Sequence, residues 1–488
     1  KNPDAVEPSW RSFFQGYDLA NENYSLTDEE ETSIQIPEEV RKEFLVIDLI
    51  NGYRTRGHLF TQTNPVRERR KYAPTLAIEN FGLSQSDLTT VFNAGDILGI
   101  GPKSLAKIIE HLENVFCNSI GVEYMYLRNP EELKWWQNRL NQNSNLPNYN
   151  TDSKKYILQK VNQAVGFENF LQTKYVGQKR FSLEGGEALI PGLSILLRNA
   201  AEKYGVKECV LGMAHRGRLN TLVNIFKKPV RELFNEFEGK DFEDEDLDGD
   251  VKYHLGLTLS KTYKDGNSIK MNLVPNPSHL ETVDAVTEGI VRAKIDKKYK
   301  GDNSKILPIL VHGDAAIAGQ GIVYEVIQMA QLNGYKTGGT VHVVVNNQVG
   351  FTTNYLDARS STYCTDVAKV TLSPVLHVNA DDAEAVVHAV EMALEYRMRY
   401  KKDVYIDLLG YRKYGHNEGD EPRFTQPKLY KNIAKHSNPF KIYADKLIAE
   451  NTIDKAYSEK IVADFKATLE SEYSKSKKAE SSKVREFM

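Results

Sequence analysis

The chain has 488 residues, with 63 basic and 66 acidic side chains and a formal net charge of −3. This length predicts roughly two to four domains, because single hydrophobic cores stop growing well below it. The balanced charge argues against the strongly basic surface of a nucleic-acid-binding protein and against a polybasic membrane patch.

The apolar runs and the cysteines indicate the cellular compartment in which the protein is expected. No uninterrupted apolar run approaches the ~20 residues that a membrane-spanning helix needs. The first residues, KNPDAVEPSWRSFF, lack the charged-then-apolar pattern of a signal peptide. The three cysteines, Cys117, Cys209 and Cys364, are far apart and odd in number, which favours reduced thiols over a disulfide framework. We therefore expect a bacterial cytoplasmic protein, or a mitochondrial matrix protein if the source is eukaryotic.

The first 150 residues divide into a polar arm and a helical region. Residues 1–38 include ANENYSLTDEEETSIQIPEE, which has few apolar side chains to bury and predicts an arm or linker. From residue 39 to 150, apolar residues recur at spacings of three and four, which predicts a small helical domain. Its helices are expected in VRKEFLVIDLINGYRTRGH, in GPKSLAKIIEHLENVF with Pro102 near the start, and in NPEELKWWQNRLN.

Residues 151–488 have the alternating pattern of an α/β domain. Short apolar strands alternate with helical stretches in ECVLGMAHRGRLNTLVNIF, KMNLVPNPSHLETVDAVTEGIVRAKID, KILPILVHGDAAIAGQGIVYEVIQMAQLNG, GTVHVVVNNQVGFTT and DVYIDLLGYRKYGHNEGDEP. This alternation predicts a doubly wound, mostly parallel sheet with helices on both faces. The charged tail from about residue 437 is predicted to be a helical extension. FEGKDFEDEDLDGD (237–250) is predicted to be an acidic loop; a calcium loop is the alternative, although the EF-hand spacing is absent.

Polar residues gather where the predicted strands end. Parallel strands present their carboxyl ends at one edge of the sheet, where α/β proteins bind ligands. Taken singly, each residue has a structural explanation. Ser278 and Glu281 have the spacing of a capping box, Asp314 could cap its helix, and Asn347 could be a turn residue. Their shared position at one rim favours a binding site. The residues concerned are His215, Arg216, Ser278, Asp314, Asn346, Asn347 and His416.

Asp314 and Asn347 have the spacing and the chemistry of a metal site. They lie 33 residues apart, which accommodates a strand, a helix and a second strand, so both side chains can emerge at neighbouring strand ends. One carboxylate and one amide oxygen form a hard, oxygen-only ligand set, which suits Mg²⁺ with phosphates and water as further ligands. Ala315 and Ala316 allow backbone amides to approach a diphosphate closely. The segment therefore predicts a magnesium diphosphate site.

GDAAIAGQG followed by VNNQVGFTT resembles the diphosphate-binding motif of thiamine-diphosphate enzymes, except that alanine rather than glycine follows the aspartate. The surrounding segments extend the resemblance to the decarboxylating component of 2-oxoglutarate dehydrogenase complexes. They are KRFSLEGGEALIP, GMAHRGRLNTLVN, VKYHLG, NPSHLE, DARSSTYCTD, HVNADDAEAV and YRKYGHNEGDEP, in this order. EPSWRSFFQG and LINGYRTRGH resemble that family's N-terminal arm and helical domain. The resemblance covers essentially the whole of this chain. It covers only about the first half of the usual length of the family's proteins.

The resemblance assigns roles to the matching positions. It implies thiamine diphosphate and Mg²⁺, with Asp314, Asn347 and the backbone carbonyl of Val349 as protein ligands of the metal. Donors such as histidine and arginine suit a dianionic substrate, because they form charge-assisted hydrogen bonds to each carboxylate. The residues implied to line the cofactor are Arg216, Ser278, Leu280, Asp314, Ala315, Ala316, Asn347 and His416. The residues implied to face the 2-oxo acid are Phe181, His215, His254 and Ser278, and those implied to be catalytic are His215, His254 and His416.

The resemblance also implies the reaction and the assembly. The reaction is thiamine-diphosphate-dependent oxidative decarboxylation of 2-oxoglutarate in the tricarboxylic acid cycle. The succinyl group passes to a lipoyl group of a partner dihydrolipoyl succinyltransferase. The family resemblance further implies a homodimer within a multienzyme complex, with the cofactor-activating glutamate on a pyrimidine-binding domain beyond residue 488. We therefore expect this chain to carry the diphosphate-binding half of an active site.

Other functions remain open at this point. 2-Oxoadipate is one carbon longer than 2-oxoglutarate, and one methylene gives only ~1–3 kcal/mol of discrimination. The pair His215 and His254 argues for a second carboxylate and against pyruvate. A transketolase shares the cofactor but not the flanking motifs, and no GxGxxG follows a strand as in a dinucleotide-binding dehydrogenase. In a non-catalytic alternative the chain is a cofactor half-site or an assembly module, with a polar arm that docks a partner.

Overall fold

The computed structural model describes residues 37–67, 76–239 and 252–478. By its contacts the chain divides into two units, Lys1–Phe44 and Leu45–Met488. Almost all of the predicted polar arm and most of the predicted acidic loop lie outside the described residues, as do residues 68–75 and 479–488.

Three helices occur where the sequence predicts them before residue 150. They are α1 (Glu38–Arg56), α2 (Leu105–Phe116) and α3 (Pro130–Asn141). Pro102 lies ahead of α2 rather than in its first turn, because the helix begins only after Ser104. The domain boundary near residue 150 stays a prediction. The apolar spacing of α2 places one stripe in the core, and its buried members are Leu105, Ile108, Leu112, Val115 and Phe116.

An eight-stranded sheet forms the centre of the second unit. The spatial order, with strands numbered along the chain, is β1-β7-β8-β6-β5-β2-β4-β3. The edge strands β1 and β3 are antiparallel to their neighbours, and the other pairings are parallel. The predicted mostly parallel α/β sheet is therefore confirmed. Its strands are β1 (Ile120–Glu123), β2 (Glu208–Met213), β3 (Leu257–Thr262), β4 (Ser268–Leu273), β5 (Ile306–Gly313), β6 (Val341–Asn346), β7 (Val375–Asn379) and β8 (Val404–Leu409).

Helices cover both faces of this sheet, which explains why strands such as β5 are continuous apolar runs. The helices are α4 (Thr151–Lys174), α5 (Leu189–Glu202), α6 (Arg218–Asn224), α7 (Val230–Phe237), α8 (Thr282–Lys297), α9 (Asp314–Gly319), α10 (Gly321–Met329), α11 (Tyr355–Ala358), α12 (Ala383–Tyr400), α13 (Pro427–Ile433), α14 (Pro439–Ala449) and α15 (Lys455–Lys478). Helices α5 and α12 join the main core on one face, while α8, α9 and α10 pack on the other. Helices α14 and α15 lie in the segment predicted to be a helical extension. Among the described helices, none is both long and apolar enough to cross a membrane.

The winding of the chain reverses between β2 and β5. From β2 the chain moves to β4 on one side, and from β5 it moves to β6 on the other. In open α/β sheets such a reversal leaves a crevice at the carboxyl ends of the two central strands. His215 and Arg216 follow β2, and Asp314 follows β5, so all three border this crevice.

Candidate active site

Asp314 stands at the carboxyl end of β5 as the first residue of α9. The capping explanation of Asp314 is wrong, because Gly313 occupies the N-cap and no side chain caps this helix start. The Asp314 side chain is buried, with 2 % of the residue exposed. Burial raises the pKa of Asp314; the charge of Arg359 opposes this shift and that of Asp407 adds to it. A buried carboxylate whose pKa remains raised is poorly compensated and would be stabilised by a bound cation.

The turn 346–349 follows β6, the strand that pairs with β5. Asn347 Oδ1 accepts a hydrogen bond from the Val349 backbone N–H at 3.2 Å. Gln348 has a φ of +66°, and its side-chain amide donates to the Gly410 carbonyl at 2.7 Å. This bond supports a strained backbone conformation. The side-chain oxygen of Asn347 and the carbonyl of Val349 are therefore carried on a fixed turn beside the end of β5.

Close backbone packing joins this turn to α9. A Cβ atom added to Gly350 would lie 2.7 Å from the Cβ atom of Ala315, so one backbone segment would have to shift. We expect Gly350→Ala to lower the free energy of unfolding by about 1–3 kcal/mol, measured by urea denaturation. The control is Gly313→Ala at the end of β5, where an added Cβ atom meets nothing within 4 Å. Equal stability of the two variants would contradict the close packing.

Rings from separate segments meet beside the end of β2. The Phe181 ring centroid lies 3.9 Å from that of His215 and 5.6 Å from that of His416. The centroids of His215 and His416 are 5.9 Å apart. Tyr253 extends this ring cluster, at 4.9 Å from Phe181 and 5.1 Å from His254. The structure thus brings together the predicted substrate residues Phe181, His215 and His254 with the predicted cofactor residue His416.

The two central histidines of the ring cluster are neutral beside a charged arginine. Burial, followed by the charges of Arg216 and His416, lowers the pKa of His215 to about 3. Burial also lowers the pKa of His416. Each neutral ring offers one N–H donor and one acceptor. Burial and then Arg412 lower the pKa of Arg216 to about 10, so Arg216 stays charged at neutral pH. Its guanidinium donates to the Ser182 and His416 carbonyls, each at 2.9 Å.

A buried ionic network fixes the position of Phe181. Phe181 has a φ of +50°, a left-handed conformation that is unfavourable for a bulky residue. The Glu418 carboxylate accepts backbone N–H bonds from Arg180 at 2.8 Å, Phe181 at 3.2 Å and Ser182 at 2.8 Å. The buried Arg180 side chain forms an ion pair with Glu168. These bonds compensate the strain and hold the Phe181 ring in the cluster.

The same region contains a buried acid that makes stability depend on pH. Glu187 is 1 % exposed, and burial followed by the charge of Glu184 raises its pKa from 4.5 to about 8. The Gly185 N–H donates to its carboxyl group at 2.7 Å. Because the unfolded chain releases this proton near pH 4.5 and the folded chain near pH 8, Glu187 destabilises the fold increasingly between these values.

Glu187→Gln is therefore expected to raise the free energy of unfolding by roughly 2–5 kcal/mol at pH 8 and to change it little near pH 4.5. Glutamine retains an oxygen that can accept the Gly185 N–H bond. Chemical denaturation of both proteins across this pH range measures the difference. A gain that does not grow with pH would show that Glu187 ionises normally in the folded chain.

The segment between β4 and α8 differs from expectation. Ser278 is exposed and Leu280 is half-buried. The predicted capping box between Ser278 and Glu281 is not formed, because Glu281 itself occupies the N-cap with a φ of +69°. Its carboxylate instead contacts His312 Nδ1 at 2.6 Å. The cofactor and substrate roles of Ser278 and Leu280 stay predictions.

Buried histidines within β5, β6 and β7 form networks that the sequence reasoning missed. His377 bonds Asp407 at 2.8 Å and Glu123 at 2.9 Å. Asp407 also accepts a hydrogen bond from Asn346 at 2.9 Å, which connects this network to the turn that carries Asn347. The sequence feature from which these networks could have been predicted is a histidine within each of three apolar strand sequences. These strand residues are His312, His342 and His377.

Comparisons with known proteins identify relatives of the chain. The family model described as "Dehydrogenase E1 component" matches residues 159–485. A 2-oxoglutarate dehydrogenase E1 component from Azotobacter vinelandii is 42 % identical over 96 % of this chain and 52 % of that protein. The protein of the same name from Cupriavidus necator is 46 % identical over 88 % and 45 %, respectively. A multifunctional 2-oxoglutarate metabolism enzyme from Mycolicibacterium vanbaalenii is 46 % identical over 88 % and 35 %.

These matches cover the site but not the full length of the relatives. The chain spans about half the length, or less, of the curated relatives it matches. The segment matched by the family model contains the ring cluster, the crevice between β2 and β5, and both strand ends of the predicted metal site. The chain belongs to the dehydrogenase E1 component family.

Proposed function

We propose that this chain supplies the diphosphate- and metal-binding half of a 2-oxoglutarate dehydrogenase. Membership of the E1 family implies thiamine diphosphate as the cofactor. The observation that carries the proposal is the buried Asp314 carboxylate beside the fixed turn that presents Asn347 and Val349. A buried carboxylate with a raised pKa at the point where the winding of the sheet reverses suits a cation site.

The residues present fit a magnesium diphosphate. Asp314, Asn347 and the Val349 carbonyl would hold Mg²⁺, since all three offer the oxygen ligands that this ion prefers. Ala315 and Ala316 lie in the first turn of α9, where their small side chains leave backbone amides accessible to phosphate oxygens. An ion at this position would neutralise the buried Asp314 carboxylate.

The bound cofactor would supply the electron sink for decarboxylation, while the protein supplies orientation and electrostatics. Arg216 is charged and held by two carbonyls, so it can stabilise an anionic group without moving. The ring cluster partly covers His215 and His416, which are both half-buried. Their neutral imidazoles can donate an N–H bond to an oxygen that gains negative charge, or exchange a proton with it.

A 2-oxo dicarboxylate is the substrate class that the ring cluster favours. Phe181 supplies an apolar wall, and His215 and His254 supply donors for carboxylates. The two relatives named 2-oxoglutarate dehydrogenase E1 component support 2-oxoglutarate among such acids. 2-Oxoadipate is the closest competitor, since its extra methylene changes binding by only ~1–3 kcal/mol.

The assembly proposed for the whole enzyme follows from the same relatives. The remaining part of the enzyme would contribute a pyrimidine-binding domain with the activating glutamate, within a homodimer. A lipoyl-bearing dihydrolipoyl succinyltransferase would accept the succinyl group, so that the product enters the tricarboxylic acid cycle. The named relatives come from bacteria, which favours a bacterial cytoplasmic location.

Turnover of three acids tests the function. The chain, joined to the rest of its enzyme, is assayed with 2-oxoglutarate, 2-oxoadipate and pyruvate, with thiamine diphosphate, Mg²⁺ and ferricyanide as electron acceptor. We expect the highest kcat/KM with 2-oxoglutarate. A higher kcat/KM with 2-oxoadipate would make 2-oxoadipate the substrate in place of 2-oxoglutarate. Cofactor binding without turnover of any acid would support the non-catalytic alternative.

A further inference from the structure

Residues 64–67, which follow α1 in the chain, contact the turn 346–349 that carries two of the proposed metal ligands. Their sequence places an asparagine before a proline, a combination typical of a turn. Asn64 Oδ1 accepts the backbone N–H groups of Val66 at 3.2 Å and of Arg67 at 3.0 Å. These local bonds hold the Asn64 side chain in one orientation, so that its Nδ2 group can donate to another part of the chain.

A pair of amide hydrogen bonds forms the first contact between this segment and the turn. Asn64 Nδ2 donates to Gln348 Oε1 at 2.8 Å, and Gln348 Nε2 donates to Asn64 Oδ1 at 3.1 Å. Gln348 Nε2 also donates to the Gly410 carbonyl at 2.7 Å, so rotation of this amide by a half-turn would place two oxygens against each other. Gln348 is 2 % exposed. Removal of the Asn64 side chain would therefore deprive a buried amide oxygen of its donor.

Two further contacts connect the same segment to the residues around Val349. Arg67 Nη1 donates to Asn354 Oδ1 at 3.1 Å. Asn354 is the backbone partner of Val349 in a short antiparallel ladder. Val66 is buried in the same apolar cluster as Val349. The segment 64–67 thus supports the turn through one amide pair, one guanidinium and one apolar side chain.

The turn needs such support because its central residue is strained. Gln348 lies between the proposed ligands Asn347 and Val349, and its φ of +66° is in the left-handed region. The dihedral angles of Gln348 set the direction of the Val349 carbonyl relative to the Asn347 side chain. Relaxation of this conformation would separate two oxygens that are proposed to bind one ion.

We propose that Asn64 is a positioning residue of the metal site, because its paired amide holds Gln348 in the conformation that presents two neighbouring oxygen ligands to one ion. The inference rests on the proposed function, since it requires a metal at Asp314. Asn64 lies ahead of residues 159–485, which the family model matches, so the matched domain does not contain this support. The helical region before β1 would thus contribute to cofactor binding through a side chain.

Metal affinity tests this role in the chain joined to the rest of its enzyme. Mn²⁺ is titrated calorimetrically at saturating thiamine diphosphate. We expect Asn64→Ala to bind Mn²⁺ at least about tenfold more weakly than the unchanged enzyme, as when a group that orients a metal ligand is removed. Asn162→Ala is the matched control, since Asn162 is a buried asparagine on α4 whose Nδ2 donates to the Ile461 carbonyl at 2.9 Å. The control should lower the melting temperature but keep the Mn²⁺ affinity within about threefold.

A double variant tests whether Asn64 acts through Gln348. Methionine has a similar length to glutamine but lacks the amide donor and acceptor. The double variant Asn64→Ala with Gln348→Met should bind Mn²⁺ as weakly as Gln348→Met alone, since both changes remove one contact. Losses of affinity that multiply would show that Asn64 acts by another route and would overturn the proposal.

Steady-state kinetics separates positioning from a loss of folded protein. For Asn64→Ala, the Mg²⁺ concentration that gives half-maximal turnover of 2-oxoglutarate should rise about tenfold, with a smaller change in kcat at saturating Mg²⁺. A fall in kcat with an unchanged Mg²⁺ requirement would overturn the proposal. If Asn64→Ala does not fold, Asn64→Asp keeps the acceptor for the local N–H groups but cannot donate to Gln348. It should weaken Mn²⁺ binding by roughly threefold or more.

Asp314→Asn distinguishes failure of this inference from failure of the proposed function. If Asp314→Asn loses Mn²⁺ binding while Asn64→Ala binds as the unchanged enzyme does, the metal site stands and Asn64 is not a positioning residue. If Asp314→Asn binds Mn²⁺ as the unchanged enzyme does, the proposed metal site is wrong and this inference is wrong with it. An equal loss of affinity in Asn162→Ala and Asn64→Ala would attribute the effect to stability and would also overturn the inference.

Discussion

Replacement of Asp314 by asparagine is expected to abolish magnesium-dependent binding of thiamine diphosphate. Asp314 is the one charged ligand in the proposed metal site, and an amide cannot supply its charge. We expect the affinity to fall at least ~100-fold, which corresponds to roughly 3 kcal/mol. The same change should leave the cofactor-free chain at least as stable as before, because burial raises the pKa of Asp314 and its charge opposes folding.

Calorimetric titration of cofactor in the presence of Mg²⁺ measures the binding, and thermal unfolding without cofactor measures the stability. Asp464→Asn is the matched control, since Asp464 is exposed on α15. If Asp314→Asn lost both its stability and its cofactor binding, Asp314 would be a structural residue of α9. Unchanged cofactor binding would place the metal elsewhere.

Replacement of His215 by phenylalanine is expected to lower kcat/KM for 2-oxoglutarate by roughly 100-fold or more in the assembled enzyme. Phenylalanine preserves a ring against Phe181, whose centroid lies 3.9 Å away, but removes both nitrogens. The effect should therefore appear in catalysis with little change in the free energy of unfolding. Because the pKa of His215 is lowered to about 3, the neutral imidazole is the form that acts at neutral pH.

Steady-state kinetics with 2-oxoglutarate, accompanied by thermal unfolding, checks this result. His111→Phe is the control, because His111 lies on α2 and its ring contacts Asn141 at 3.2 Å rather than the ring cluster. If the kcat/KM of His215→Phe is within threefold of that of the unchanged enzyme, His215 is not part of the active site as proposed.

Much of the fold could be predicted because local pattern and tertiary structure agree. The run ILPILVHG could be assigned to a parallel strand, since a strand covered on both faces is apolar throughout. The position of Asp314 beside Asn347 follows from the order of strands in one βαβ unit. Both side chains offer oxygen atoms as ligands, so the chemistry of the pair predicts a bound cation.

The remaining features depend on contacts between distant parts of the chain. The edge strand Ile120–Glu123 is a short run within a helical region, and its pairing partner lies more than 250 residues later. The conformation of Phe181 is set by Glu418, which no local pattern connects to it. Glu281 looked like half of a capping box, but a buried contact with His312 determines its orientation.

The most direct test of the metal site is a crystal structure of the chain with thiamine diphosphate and Mn²⁺, which replaces Mg²⁺ and scatters anomalously. We expect one anomalous peak in contact with Asp314, Asn347 and the Val349 carbonyl. Within the part of the chain that the structure describes, two groups offer rival ligand sets, namely His58 with Glu123 and His377, and Glu281 with Asp284 and His312. An anomalous peak at either group, with none at Asp314, would contradict the proposed cofactor site.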